Sequence, residues 1–591
     1  MESRSMRLSV ILLVSLLVVG TLLLAACAGE SATTTAATSS QTSGTSTSQP
    51  TGSTGTSGST ATSAATTPKY GGTLRIAAQG VGVNIGWPAT MSAAGVFVQA
   101  YYETLLRSDK QGNQNPWLAE SYKVADDEKS ITFTIRKGIK FTDGSDLTAD
   151  VVKWNLEKEL MFAGAAPSAG APAGAPPASV PAGAPPAGGS AGAPPAGGAI
   201  TPMPGFGGSN WTSVEVLDPY TVRVNFYTWD NSIPSAFGDN NPTLYMVSKA
   251  AYDKNGQDWI TTHPVGTGPF TVASYTTDST MKLVKNPNYW ATDGQGNKLP
   301  YLDELDYSFS SDATTTLMMA KAGEVDMVAT VSPGKQMVGY KDMGWLTHTL
   351  FDANEMWVPD SAHADSPWSK QEVREAAEYA VDRAALAKKF GYGYLQAPNQ
   401  IPPRDTTAYD ANFALARNYD PEKAKQLLAQ AGYPNGFKTT LILWSFGDHD
   451  IALAEQEYLA AVGIQAALEF PDAGKFNTYT GPTGNYHDAL LEIPVPAQSP
   501  TGLGCVTFAT SLFGDNWQKP AELMQAFAAA TSALTPEVSL VRATTDILTK
   551  NALLIPLYET GYGRAEAPYV VAEFGKRGLS QDSLERAWLN K

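Results

Sequence analysis

Residues 263–290 read HPVGTGPFTVASYTTDSTMKLVKNPNYW. Gly266 and Gly268, which tolerate φ > 0, flank Thr267, and Pro269 follows with its fixed φ. The combination suits a crossing where one compact body hands the chain to another, so Gly266, Thr267, Gly268 and Pro269 are expected at a hinge. Beyond it, Phe270 and Val272, then Met281 and Leu283, alternate with polar residues on either side of the polar turn Thr276 to Thr280. That pattern predicts a β-hairpin. Asn286-Pro287-Asn288 ends the second strand as a turn.

Two or three bodies are what the length implies, because 591 residues exceed a single core. The formal charge of −16 and the lack of a clustered basic surface exclude a nucleic-acid partner. Only two cysteines are present, Cys27 and Cys505, so there is neither a disulfide framework nor a CxxC metal or redox motif. The five histidines include one compact cluster of metal-ligand types, Asp448-His449-Asp450, read as a solvated polar loop. Phosphate-loop and HExxH motifs are missing, and no metal or cofactor is expected.

Outward from the hairpin, the N-terminus explains Cys27. Arg4 and Arg7 precede the apolar run Leu8 to Ala26, which ends in Leu24-Ala25-Ala26-Cys27. This resembles a bacterial lipoprotein signal peptide (residues 1–26), with Cys27 as the lipid-attachment residue. A plain transmembrane anchor is the competing reading, since about 19 apolar residues can span a bilayer. Residues 27–67 are nearly all Ser, Thr, Gly and Ala and read as a disordered stalk with a reach on the order of 35 Å.

Alternation through Leu74 and Ile76 marks the first strand, and Ala93 to Arg107 carries Val96, Ala100 and Leu106 at helical spacing. Strands follow in Tyr122 to Phe141 and Ser213 to Phe226, separated by a helix opened by Thr148 and by Gly-Ala-Pro repeats over residues 163–205, which fit neither helix nor sheet. In the second half, helices at Gln371 to Phe390 and Pro421 to Ala431 alternate with strands at Lys438 to Trp444, Gln465 to Phe470 and Leu554 to Tyr558, giving an α/β class.

Several stretches in order resemble family 5 of the bacterial extracellular solute-binding proteins: Tyr70-Gly71-Gly72-Thr73-Leu74-Arg75, Pro116-Trp117-Leu118-Ala119-Glu120-Ser121, Ile135 to Ser145 (IRKGIKFTDGS), Val265 to Phe270 with Lys285 to Trp290, Val373 to Arg383, and Tyr419 to Pro434. The resemblance spans nearly all of Pro68 to Lys591. It implies the two-lobe periplasmic-binding-protein fold with an extra subdomain, and the receptor of an ABC importer for dipeptides, oligopeptides and related solutes. Lobe I is then expected at 68–262 with a subdomain at about 116–208, lobe II at 263–558, and a return to lobe I at 559–591. It implies permease subunits as partners, a monomer, and no catalysis. The competing class is an exported, lipid-anchored hydrolase acting on oligosaccharides with two carboxylates in a cleft.

The resemblance also places strands beside the ligand. Trp444 follows one such strand and Trp357 ends another, while Asn84 and Trp87 lie after the first strand of lobe I; all four are candidate ligand contacts. Aromatic faces suit a sugar or a mostly apolar solute. Peptide-binding relatives carry, after the strand near Tyr486, a Gly-Trp stretch and an aspartate for the peptide's amino terminus. Here Leu491-Glu492-Ile493-Pro494-Val495-Pro496-Ala497-Gln498-Ser499-Pro500-Thr501-Gly502-Leu503-Gly504-Cys505 stands instead. No aspartate is present, which counts against a free peptide ligand although Glu492 could substitute, so a peptide-like and an oligosaccharide-like solute both stay open; Ser499 and Gly504 are candidate contacts within the altered segment. Cys505 reads as a small buried residue.

Overall fold

The structure, a computed structural model, describes residues 67–79, 84–88, 97–109, 112–163, 211–239, 244–444, 448–480, 484–497, 501, 503–504, 513–574 and 584–591. The signal segment, the stalk, the Gly-Ala-Pro repeats beyond residue 163, Ser499 and Cys505 lie outside them.

Alternation in Thr73–Ala78 buries Leu74 and Ile76 and makes that strand the parallel partner of both Glu304–Phe309 and Met327–Val331. It belongs to a ten-stranded sheet. From one edge to the other the strands are Ile464–Glu469, Phe437–Leu443, Ala489–Pro496, Leu346–Pro359, Ile555–Glu566, Met327–Val331, Thr73–Ala78, Glu304–Phe309, Thr280–Lys285 and Phe270–Thr276. A separate four-stranded antiparallel sheet, Ala119–Val124, Ser130–Ile135, Thr221–Phe226 and Trp211–Asp218, packs with the helix Ala149–Ala163.

Packing divides this framework in two. One core gathers Leu74, Phe270, Leu283, Leu305 and Tyr307 with the four-stranded sheet and with Ala567, Val570 and Leu589 from the chain's end. The other half of the large sheet is covered on both faces: Trp357, Leu441 and Leu490 meet the helices Gln371–Ala380, Pro421–Gln430 and His449–Ala461, while Met356, Ile442 and Leu491 meet Ala521–Ser532 and Val538–Lys550. Two strands run through both halves. Leu346–Pro359 and Ile555–Glu566 pair antiparallel from Leu346 opposite Glu566 to Trp357 opposite Ile555, with register shifts between Phe351 and Ala353 and between Glu355 and Met356.

The expected crossing at Gly266 to Pro269 is packed inside the first core. Neither glycine has a positive φ; both are close-approach residues, since a Cβ on Gly266 would lie 2.0 Å from the Tyr101 carbonyl oxygen and one on Gly268 would lie 2.6 Å from its carbonyl carbon. Gly268 N donates to Tyr101 O at 3.1 Å, and Thr142 N to Gly266 O at 2.9 Å. The hairpin Phe270–Thr276/Thr280–Lys285 then joins the sheet beside Glu304–Phe309, as its alternation predicts.

A buried carboxylate explains why this stretch and the Asn286–Trp290 turn occur together. Glu103 accepts from Trp117 Nε1 (2.7 Å) and Tyr289 OH (2.9 Å) on one oxygen, and from Thr267 Oγ1 (2.8 Å) and Trp290 Nε1 (3.0 Å) on the other. Burial pushes its pKa up, against the pull of Arg107 and these donors. Arg107 lies over the Trp117 ring at 3.6 Å and pairs with Glu585 at 2.6 Å, tying the C-terminal segment to the same hub.

Glu103 also accounts for a missing helix. Within residues 97–107 only Val98–Ala100 is helical, as a single 3₁₀ turn, and Leu106–Ser108 is a strand. The carbonyls that an i→i−4 ladder would use are engaged elsewhere: Tyr101 O by Gly268, Glu103 O by Met246, Thr104 O by Leu118, Leu105 O by Trp117 and Ala119. The helix expected over Gln371 to Phe390 is likewise two, Gln371–Ala380 and Arg383–Gly391, because Val381 is extended and Asp382 caps the second by accepting from Ala385 N.

The motif Ile135 to Ser145 is structural: Arg136 Nε donates to Trp117 O at 2.7 Å, and Asp143 accepts from Ser145 N at 2.9 Å and from Ser248 Oγ at 2.6 Å. Gly266→Ala should therefore destabilise the protein by about 1–3 kcal/mol or more, through a methyl forced onto the Tyr101 backbone. The measurement is the urea midpoint; an unchanged midpoint would contradict the packing described.

Candidate functional site

The site is assembled at the crossing strands and the parallel strands beside them. Pleating puts Glu355 and Trp357 on one face of Leu346–Pro359. Tyr558 stands opposite Glu355, and Glu492 stands opposite Trp357 on the other side. Glu455 reaches the same place from the helix His449–Ala461, where it lies between Ile451 and Leu459 on the buried face. Glu355 is 4 % exposed, Glu492 1 % and Glu455 0 %.

Among the described residues no basic side chain pairs with them. Neither oxygen of Glu455 or Glu492 has a hydrogen bond of normal geometry, and one oxygen of Glu355 and the Trp357 indole N–H are also unsatisfied, although the Glu455 and Glu492 carboxyls and the indole lie close enough to interact. Burial raises the pKa of all three acids; the neighbouring Glu492 raises Glu355 and Glu455 further, while Glu455 and Trp357 pull Glu492 back. Three buried like charges without a counterion repel one another, which favours the protonated acids. Burial also raises the Tyr558 hydroxyl, with Glu355, Glu492, Glu455 and Asp448 adding to it. Such a group can accept N–H donors from a cation, giving up protons as it does so.

Trp444 ends the Phe437–Leu443 strand and is half-buried against Met356, Ile442 and Leu491 on the opposite face. Asp448, beyond residues outside the description, caps His449–Ala461 by accepting from Asp450 N at 2.9 Å and Ile451 N at 3.3 Å. Asp448-His449-Asp450 is thus a helix start. Trp357 is fully buried beneath the second lobe's helices, and Gly504 is buried beside Leu503 of the adjoining core.

The first-lobe candidates lie elsewhere. Trp87 is 2 % exposed and packs on Trp154 (6.1 Å between ring centres) and Tyr252 (5.6 Å), while Asn84 Oδ1 accepts from Trp87 N at 3.3 Å. They sit in the first core and are not brought to Trp444 or Glu492. The two halves do touch at another point: Asn231 N donates to Thr531 O at 2.8 Å, Asn231 Nδ2 to Ala530 O at 2.7 Å, and Trp229 Nε1 to Ala533 O at 3.2 Å. Among the described residues no helix is long and apolar enough to cross a membrane.

Comparison with known proteins follows the geometry. The model of the bacterial extracellular solute-binding proteins, family 5 (middle region), matches residues 113–492. The glutathione-binding protein GsiB of Shigella dysenteriae serotype 1 is 27% identical over 475 residues, covering 78% of this chain and 83% of that protein. GsiB of Escherichia coli O157:H7 is 30% identical over 382 residues, covering 64% and 65%. Among solved structures, the ABC transporter-associated periplasmic binding protein DppA of Helicobacter pylori, in complex with the peptide STSA, superposes with a TM-score of 0.70 at 22% identity, over 88% of this chain and 99% of that one. NikA of Brucella suis in complex with Fe(III)-EDTA does so at 0.68 and 18% identity, over 88% and 100%. The shared fold is the two-lobe one of periplasmic binding proteins.

The raised carboxyls give a sign for the pH dependence of stability. Below the ordinary glutamate range near pH 4.3 the cluster is neutral in both folded and unfolded chains; as pH rises from there toward the raised values only the unfolded chain ionises, so stability falls until the folded cluster ionises as well. The double variant Glu455→Gln/Glu492→Gln should melt several degrees above the wild type at pH 8 and close to it at pH 5. Equal destabilisation at both pH values in calorimetry would contradict the cluster's protonation.

Proposed function

This chain belongs to family 5 of the bacterial extracellular solute-binding proteins, and on that premise we propose that it captures a peptide-type solute bearing a free ammonium group between its lobes and hands it to the permease of an ABC importer. The family consists of binding proteins that deliver solutes to such permeases. The hydrolase reading has no support from it.

The observation that carries the reading is the pair of strands Leu346–Pro359 and Ile555–Glu566 running through two separately packed halves. We take these strands as the hinge in place of Gly266 to Pro269. Lobe I is then residues 68 to about 345 with 567–591, and lobe II about 360–554. Register shifts at Phe351/Ala353 and Glu355/Met356 give the ribbon points where bending disturbs few ladder bonds. The bonds from Trp229 and Asn231 to Ala530, Thr531 and Ala533 act as a latch for the closed form, and solute contacts to both lobes favour that form.

The glutathione and peptide ligands of the relatives support a peptide-type solute, and the acid cluster supports the ammonium. Glu355, beside Tyr558 on the crossing strands, and Glu492 behind it replace the aspartate missing from the altered segment. Trp444, Ser499 and Gly504 stay as candidate contacts, and Asn84 and Trp87 are assigned to packing. Cys27, lipidated after removal of residues 1–26, would hold the monomeric receptor at the outer face of the cell membrane on the stalk of residues 27–67.

Calorimetric titration with glutathione, di- to tetrapeptides, their N-acetyl forms and oligosaccharides tests this. Free-amino peptides should bind, and more tightly at pH 8 than at pH 5. N-acetylation should cost roughly tenfold to a hundredfold, the equivalent of a charge-assisted hydrogen bond of about 1.5–3 kcal/mol. Equal binding of the N-acetyl forms would remove the ammonium, and binding of oligosaccharides alone would remove the peptide class.

A further inference from the structure

At the other end of the hinge strand, away from the first lobe, the chain leaves Pro359 into Asp360 and returns through His487 and Asp488 to the strand Ala489–Pro496; Pro359 is paired with Leu490. One donor atom from each of Asp360, His363 and His487 lies within 4.8 Å of the other two. Asp360 is fully buried and fixed: one oxygen accepts from Asp488 N at 2.8 Å, the other meets His363 Nδ1 at 2.6 Å. The two imidazoles are neighbours, with ring centres 4.6 Å apart and planes tilted by 55°. His487 is flanked by Asp365 at 3.2 Å and Asp488 at 3.1 Å, and the side chains of His363 and His487 are 32% and 36% exposed.

We propose that Asp360, His363 and His487 form a site for a divalent transition-metal ion, of the Zn²⁺, Ni²⁺ or Cu²⁺ class, which staples the exit of one strand to the entry of its partner. Imidazole with carboxylate is the donor set these ions prefer. Bonds of about 2.0–2.1 Å in tetrahedral geometry place donors roughly 3.4 Å apart. From the present spacing, rotation of two partly exposed rings about a fixed aspartate reaches that distance without backbone movement. Asp365 holds Nε2 of His487 and Asp488 holds Nδ1, so when one ring nitrogen turns to the ion the carboxylate on the other keeps the histidine oriented. Three protein donors leave further positions to water. The site lies just beyond Pro359, outside the strand segment that carries Glu355 and Trp357, and joins two neighbouring strands of one lobe, so its ion is structural and not cargo. Asp360 and His363 lie over a hundred residues from His487 in the sequence, which hides the triad from motif reading.

The test uses purified protein stripped of metal with a chelator, titrated with ZnCl₂ and melted with and without it. One equivalent should bind in the micromolar range and raise the melting temperature, and His363→Ala and His487→Ala should each weaken binding about tenfold or more. His449→Ala should leave it unchanged. With Cu²⁺, electron paramagnetic resonance should report two imidazole nitrogens in the wild type and one in His487→Ala. Binding weaker than millimolar, or binding indifferent to both histidine variants, would overturn the proposal.

Discussion

The antiparallel pairing of Leu346–Pro359 with Ile555–Glu566 is the constraint on which the rest depends. These strands carry the main chain between two cores that otherwise pack separately, and the same residues border the acid cluster. A β-ribbon resists shear along its hydrogen bonds but bends and twists readily, more so where bulges interrupt the ladder. Positioning and, in the proposed closure, motion would therefore come from one element: bending these strands would move Glu355 and Tyr558 relative to whatever the first lobe presents.

The first lobe is held differently. Glu103 is buried with donors from Trp117, Thr267, Tyr289 and Trp290, residues distant in sequence that no periodicity links. Removing one donor would leave the others around a carboxylate less well compensated, which is why such networks specify a single arrangement. A comparable anchor is Asp326, buried at the strand edge, where burial opposes ionisation but Arg75 and Tyr569 outweigh it and hold the pKa at about 2.

Much of the fold was legible. The alternation of Leu74 and Ile76, the hairpin after Pro269, and the helix that begins at Pro421 all follow from local pattern. What local pattern could not show was destination. The glycines of Val265 to Phe270 signalled an unusual backbone demand, and in the structure that demand is close approach to Tyr101. Residues 97–107 have helical spacing, yet Glu103 and the carbonyls around it are claimed by distant partners. Of the candidate site, Trp444 directly follows its strand as expected, Trp357 lies inside the longer strand Leu346–Pro359 and not at its end, and Trp87 packs against Trp154. Glu455 left a readable signal that went unread: it stands four residues from both Ile451 and Leu459, at a core position of its helix.

The acid cluster and the lobes make one claim together, that the protein closes on its solute through the crossing strands. Distances by electron paramagnetic resonance between spin labels at Tyr227 and Leu534, exposed residues flanking the two sides of the Asn231 latch, address it directly. In a background lacking Cys27 and Cys505, the account predicts a short and a long population without solute and the short one alone at saturation. A single distance unchanged by a solute that binds would contradict it.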